Sequence, residues 1–476
     1  MMNEPTAQVP SIRNVKAVYF IGIGGIGMSA LARYFKGRGA RVSGYDRTET
    51  ELTRELVAEG IAVHYSEDLN LIDKEAQVVV YTPAVPKEHA ELVFYQQNGY
   101  PVLKRSDILG GITEESFNVC VAGTHGKTTT STMVAHILRH SGYGGNAFLG
   151  GISVNYDTNF WSSFNDVAVV EADEYDRSFW KLSPDVAIIT SMDPDHLDIY
   201  GDAKTMEDAF VTFGNKLKPG GLLISKFGLS RTKEIKAGRH WSYSLQNDAA
   251  DVYASNIRIE EGGYTFDLQL PDTTLYDVRL NIGGMHNVEN SVAAMAAAHS
   301  LHIEGQLIRN AIADFKGVRR RFEYILPPRP KVKGEHVAPV LIDDYAHHPE
   351  ELSALLKSAR SLFPGRRITV VFQPHLFSRT KDLFHGFAKS LEWADRILLL
   401  PIYPARELPM EGVSSALILD AVDKEDKQLL SKEGLLDWAA AYSSQLDKEF
   451  GEVIIVAGAG DIDTLVPRLK EILEKA

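Results

Sequence analysis

The residues with the clearest capacity for chemistry are Gly123, Thr124, His125, Gly126, Lys127, Thr128 and Thr129, a glycine-bounded loop closing on a lysine and two hydroxyls. Set between a strand and a helix, such a loop turns backbone N–H groups and a helix N-terminus toward phosphate, and Lys127 adds the charge. The usual eight-residue pattern has glycine five places before Gly126, where this chain has Val121, so the loop is a shortened form beginning at Gly123. A bound nucleotide calls for Mg²⁺. Thr128 offers it a hydroxyl, and Glu171, Asp173 and His196 follow apolar runs where carboxylates and an imidazole would converge on the loop.

A second glycine turn, Gly22-Ile23-Gly24-Gly25-Ile26-Gly27, is followed by Asp46 at the end of the next apolar run. The pattern matches a dinucleotide fingerprint, but its physics is only a pyrophosphate against a glycine turn and a helix end. A UDP-sugar fits it as well as a nicotinamide nucleotide. Two nucleotide sites on one chain favour a nucleotide-activated substrate together with ATP. Arg319, Arg320 and Arg321 stand beside Phe322, and guanidinium groups suit a transferring phosphoryl group because they stay charged and bind paired oxygens. Two polar clusters follow later apolar runs, Asp343 to Pro349 and Gln373 to Arg379. Neither has a recognisable zinc spacing, so structural or nucleotide contacts are expected there.

These groups need elements to hold them. Residues 17–23 read as a strand opening into the first glycine turn, with a helix from Met28 to Arg38 and further strands at Val42–Tyr45 and Gln77–Tyr81. A second alternating series has strands at Asn118–Ala122, Val167–Val170 and Val186–Ser191. Between Asp251 and Leu280 shorter alternating segments predict an antiparallel addition before the alanine-rich helix Asn290–Ala298. The Pro- and Lys-rich stretch from Pro327 to Lys331 reads as a linker. Strands then follow at Val340–Ile342, Ile368–Phe372, Arg396–Leu400 and Val453–Ala457. The expected fold class is therefore α/β in three domains, 1–115 and 325–476 Rossmann-like, and 116–324 a phosphate-loop domain with a parallel sheet and a small antiparallel addition.

At 476 residues the length suits about three domains. A net charge of −13, from 63 acidic and 50 basic side chains, argues against general affinity for nucleic acid or anionic membrane. The single cysteine, Cys120, lies inside an apolar run. It is expected to be a buried strand residue in a reducing compartment. With no apolar leader at the N-terminus and no run approaching 18 apolar residues, a cytoplasmic location is expected.

Taken in order, Gly-Ile-Gly-Gly-Ile-Gly-Met-Ser from Gly22, the loop from Gly123, Glu-Ala-Asp-Glu from Glu171, Asp195-His196-Leu197-Asp198, His286-Asn287, Arg320-Arg321-Phe322, Asp344 to Pro349 and Gln373-Pro374-His375 resemble the Mur ligase family over nearly the whole chain. The resemblance points to the branch that adds L-alanine to UDP-N-acetylmuramate with ATP, through an acyl phosphate, in peptidoglycan precursor synthesis. It implies that Gly24, Gly25, Gly27, Met28 and Ser29 face the UDP diphosphate and that Asp46 approaches the nucleoside. It further implies that Lys127 meets the β- and γ-phosphates, that Thr128 and Glu171 hold one Mg²⁺, and that His196 holds a second. Asn287 and Asn290, with His286 nearby, would contact adenine. Arg321 and Arg320 would meet phosphate, Asp344 and His347 would complete the ATP site, and His375 and Arg379 would lie near the alanine and muramoyl carboxylate. Domain closure with a hinge near 323–330 is expected, and so is a monomer or weak homodimer.

Tyr175, where many relatives have serine, and Leu376, where arginine is frequent, depart from the pattern. The rivals are a murein tripeptide-recycling ligase of the same family and, from other classes, a nicotinamide-dependent oxidoreductase and a nucleotide-binding regulatory protein without catalysis, which would be expected to have lost Lys127, Glu171 or His196. The second leaves Lys127 and Glu171 without a role.

Overall fold

The computed structural model describes residues 11–175, 177–193, 197–260, 262–329, 337–442 and 451–475. The chain is α/β and divides into two compact units. The first is Met1–Ser255 with Leu268–Leu275 and Glu289–Ala311, and the second is Asn256–Asp267, Tyr276–Val288 and Ile312–Ala476.

The first unit carries two sheets. Strand Ala17–Ile21 is buried at all five positions, as a parallel strand covered on both faces must be. It lies at the centre of a five-stranded parallel sheet in the order 62–64, 41–45, 17–21, 78–81, 102–104. The helix expected from Met28 spans Ile26–Gly37 and starts directly from the glycine turn.

In the second sheet the equally buried strand Asn118–Ala122 is flanked by Val186–Ile189 and Ala168–Glu171, in register Cys120↔Ala187 and Cys120↔Val170. Cys120 is fully buried and its burial pushes the thiol well above the ordinary range, so the residue is packing rather than a nucleophile. The sheet continues through 222–226 and 239–244 on one side, and through 146–153 and the antiparallel strand 158–161 on the other. The strand expected to reach Ser191 ends at Ile189.

Strands Val252–Glu260, Gly263–Gln269 and Thr274–Leu280, whose residues are divided between the two units, neighbour one another in sequence order. Connections this short allow only antiparallel pairing, as the alternating pattern predicts. The third sheet has the order 323–326, 340–344, 452–457, 367–372, 396–399, 427–429, parallel except for its first strand. That first strand corrects one expectation. Residues 323–326, assigned above to a hinge, pair with 340–344 in register Glu323↔Asp343, because Tyr324, Ile325 and Leu326 favour an extended, half-buried ribbon. Pro330 and Lys331 of the expected linker lie outside the described residues. No helix among the described residues is long and apolar enough to cross a membrane.

Candidate active site

The phosphate loop is built by two glycines with positive φ. Gly123 has φ +136°, and a side chain there would start 2.0 Å from Thr190 Oγ1. Gly126, at φ +80°, caps helix Lys127–His140, and a Cβ on it would lie 2.5 Å from Asn290 Oδ1. The loop is fixed from below by the two residues that continue past strand Val186–Ile189. Ser191 Oγ lies 2.7 Å from Thr124 Oγ1 and accepts from His125 N at 2.9 Å, while Thr190 Oγ1 donates to Ala122 O at 3.1 Å. The strand stops early because these hydroxyls serve the loop. Asn290, expected near adenine, is buried against the loop at Gly126.

Lys127 is folded back across the loop. Its Nζ donates to Gly123 O and to Glu174 Oε1, both at 2.7 Å. Glu174 is 1% exposed, and burial raises its carboxyl pKa while Lys127 pulls it down. Glu174 was not singled out from sequence, although it closes the Glu-Ala-Asp-Glu run. Only the fold shows that this last carboxylate, and not Glu171, reaches the lysine.

Thr128 Oγ1 donates to Glu171 Oε1 at 2.8 Å, and Glu171 Oε2 accepts from Gly150 N at 2.9 Å. A hydroxyl and a carboxylate oxygen this close are hard donors of the kind Mg²⁺ takes, beside a loop shaped for phosphate. Asp173, grouped with them in the sequence, instead turns its Oδ2 toward Arg105 Nη2 at 3.5 Å. No group of three or more His, Cys, Asp or Glu side chains is placed to hold a metal among the described residues. His196 lies outside them.

At the first glycine turn, Gly22 N and Ile23 N donate to Tyr45 O at 2.8 and 3.0 Å. Gly24 N donates to Asp46 Oδ2 at 2.7 Å. Asp46 thus braces the turn. Gly25 caps the helix, Met28 is buried, and Ser29 is buried with its Oγ donating to Ile26 O at 2.8 Å, so both side chains face inward. Met28 N and Ser29 N donate to Gly25 O at 3.0 and 2.9 Å, which leaves Ile26 N and Gly27 N at the opening of the helix to face a ligand.

The second unit gathers the remaining predicted residues. Asp344 accepts from Phe322 N at 2.7 Å and Ala346 N at 2.8 Å, pinning a turn in which Arg320 and Phe322 both have left-handed φ, +59° and +50°. Burial lifts the Asp344 carboxyl to about 6 and that of Asp343 to about 7. Arg320 lies 3.2 Å from Asp463 and 5.1 Å over the Tyr345 ring, so its guanidinium is engaged within its own unit. Arg321 is exposed. Asn287 Nδ2 donates to Gly283 O at 2.6 Å, and a Cβ on Gly284 would meet His286 Cε1 at 2.4 Å.

His347 Nδ1 is 3.0 Å from Tyr345 O, and its ring lies 6.3 Å from that of His375. His375 stacks on Tyr403 at 5.7 Å and has Arg379 Nη1 3.5 Å from its Nδ1. Burial, with Arg379 and His347 alongside, holds its pKa below the usual value, so the imidazole is neutral at pH 7. Leu376 adopts φ +70° between these groups.

Three family models match the chain in series. They are the Mur ligase family catalytic domain at 17–116, the Mur ligase middle domain at 121–298 and the Mur ligase glutamate ligase domain at 320–460. The UDP-N-acetylmuramate–L-alanine ligase of Porphyromonas gingivalis strain W83 is 48% identical over 467 residues, covering 97% of this chain and 99% of that protein. The same-named protein of Cytophaga hutchinsonii is 46% identical over 477 residues, with 98% of each covered. Among solved structures, a UDP-N-acetylmuramate–alanine ligase from Thermotoga maritima superposes with a TM-score of 0.77 at 27% identity, covering 97% of this chain and 99% of that one. A murein peptide ligase from Psychrobacter arcticus shares the fold at a TM-score of 0.65 and 21% identity. With matches of this identity along nearly its whole length, the chain belongs to the Mur ligase family.

Proposed function

We propose that the protein joins L-alanine to the carboxylate of UDP-N-acetylmuramate at the expense of ATP, releasing ADP and phosphate, as a step in peptidoglycan precursor synthesis. The observation that carries this reading is the phosphate loop with Thr128 and Glu171 2.8 Å apart at its mouth, on a chain 48% identical to a protein of that name. A carboxylate resists attack by an amine until one oxygen becomes a leaving group. Transfer of the γ-phosphoryl of ATP makes an acyl phosphate, and the neutral amine of alanine attacks its carbonyl carbon and expels phosphate.

Each residue then has a task. The loop amides from Gly123 to Thr129 hold the phosphates, with Lys127 leaving Glu174 to neutralise the phosphoryl group in flight. Thr128 and Glu171, with His196 for a second ion, would hold Mg²⁺, which supplies charge neutralisation at the phosphates. Arg320 and Arg321 would meet phosphate, Asn287, Asn290 and His286 adenine, and Asp344 and His347 would complete the nucleotide site. Gly24, Gly25, Gly27, Met28, Ser29 and Asp46 form the UDP end, while His375 and Arg379 serve the alanine and muramoyl carboxylate. The working division is 1–115, 116–324 and 325–476, acting in the cytoplasm as a monomer or weak homodimer.

The test is phosphate release from UDP-N-acetylmuramate, ATP and Mg²⁺ with single amino acids and with L-alanyl-γ-D-glutamyl peptides. Release dependent on L-alanine is expected. Release only with the tripeptide would move the protein to the recycling reaction.

A further inference from the structure

A cavity of about 210 Å³ lies within the first unit, lined by Ile26 and Gly27 at the start of the first helix and by Glu171 and Asp173 past the end of strand Ala168–Glu171. Arg105, the first residue of helix Arg105–Glu115, is the one cation among the described residues that line it. Its guanidinium makes no hydrogen bond among the described residues. Its charged contact is Asp173 at 3.5 Å, in a pair whose side chains are 31% and 44% exposed. An ion pair so open contributes little to stability.

The position of the guanidinium is less easily explained by packing. A Cβ built on Gly27 would lie 2.1 Å from Arg105 Nη1, so the cation occupies the space directly over the first turn of helix Ile26–Gly37. That turn is the positive end of a helix with free amides. Asp173 offsets part of this charge from one side, and the guanidinium and the helix end together leave a positive wall over the glycine turn.

On the reading given above, that the first domain takes a UDP-linked substrate, we propose that Arg105 holds the substrate's diphosphate over the glycine turn and that Asp173 positions its guanidinium. A planar fork of five donors suits paired phosphate oxygens better than a lysine would. Gly27 is then a glycine because its missing side chain is where Arg105 lies.

The full-length protein is titrated calorimetrically with UDP, UDP-N-acetylglucosamine, UDP-N-acetylmuramate and ATP. Arg105→Ala is expected to weaken all three UDP ligands by about 10- to 100-fold, the range for losing a charge-assisted contact, and to leave ATP affinity unchanged. Arg105→Lys should recover part of the loss, and Gly27→Ala should reproduce it by displacing the guanidinium. Asp173→Asn should raise KM for the UDP substrate several-fold with kcat held. A loss confined to UDP-N-acetylmuramate would place Arg105 on the muramoyl carboxylate and overturn the diphosphate assignment. Unchanged affinity with a lowered Tm would make Arg105 structural and overturn it too. Wild-type protein that binds no UDP ligand would instead overturn the underlying functional reading and this proposal with it, a result distinct from either variant outcome.

Discussion

The two glycine turns of the first unit use one backbone device in different ways. Both leave a fully buried parallel strand and open a helix, at Gly22–Gly27 and at Gly123–Gly126. In the phosphate loop the cation is local: Lys127 is the first residue of the helix and folds back to Gly123 O at 2.7 Å. In the other turn no cation follows the glycines, and the nearest guanidinium comes from Arg105, nearly eighty residues on in the chain. A loop that carries its own charge can bind a group that reacts, because the charge moves with the loop. The group over the first turn depends instead on a cation brought from a separate helix.

The largest expected effect breaks this comparison at its local cation. Lys127→Ala should cut phosphate release by about a thousandfold or more, since it removes charge that stabilises the transferring phosphoryl group. UDP-N-acetylmuramate affinity should stay within about twofold, and calorimetry showing an equal loss would contradict the separation of roles. Next, Glu171→Gln should lower turnover by about a hundredfold and shift the Mg²⁺ requirement upward, read from rate against free Mg²⁺ concentration.

A smaller effect sharpens what holds Lys127 across the loop. Glu174→Gln keeps the shape but removes the charge paired with Lys127 at 2.7 Å, and should cost about 1–3 kcal/mol in urea unfolding. Turnover at saturating ATP should fall far less than in Lys127→Ala. Loss as deep as that of Lys127→Ala would mean that Glu174 takes part in the chemistry.

The smallest effect lies in the second unit. Burial raises the Asp343 carboxyl to about 7 from an ordinary 3.8. A raised folded-state pKa means the native state holds the proton more tightly. The stability this group contributes is therefore complete below about pH 4 and is lost as pH rises through 7. Asp343→Asn should flatten the decline in Tm between pH 4 and 7.5 and leave the variant the more stable protein at the upper end.

Much of the molecule was legible in its sequence. The strand Asn118–Ala122 matches its expected limits, and four of the six strands of the third sheet fall within two residues of theirs, because continuous apolar runs bounded by turns leave few alternatives. The phosphate loop was equally plain, since its glycines, lysine and threonine are contiguous. The partners that the fold adds from elsewhere were not visible. Ser191 and Thr190 read as the end of a strand, yet their hydroxyls brace the loop. Glu174 reads as one of several acids, and nothing in its spacing tells that it, and not Asp173, meets Lys127. Residues 323–326 show the same limit in reverse. A neighbouring proline-rich stretch suggested a hinge, but pairing with strand Val340–Asp344 decided the conformation.

The central claim is that ATP activates the substrate carboxylate by phosphorylating it. UDP-N-acetylmuramate labelled with ¹⁸O in that carboxylate, turned over with ATP and L-alanine, tests it directly by mass analysis of the released phosphate. The account predicts one ¹⁸O in each phosphate formed, carried from the carboxylate when the amine displaces phosphate from the acyl phosphate. Phosphate free of label, with one ¹⁸O kept in the amide carbonyl and the other recovered in AMP or water, would contradict it.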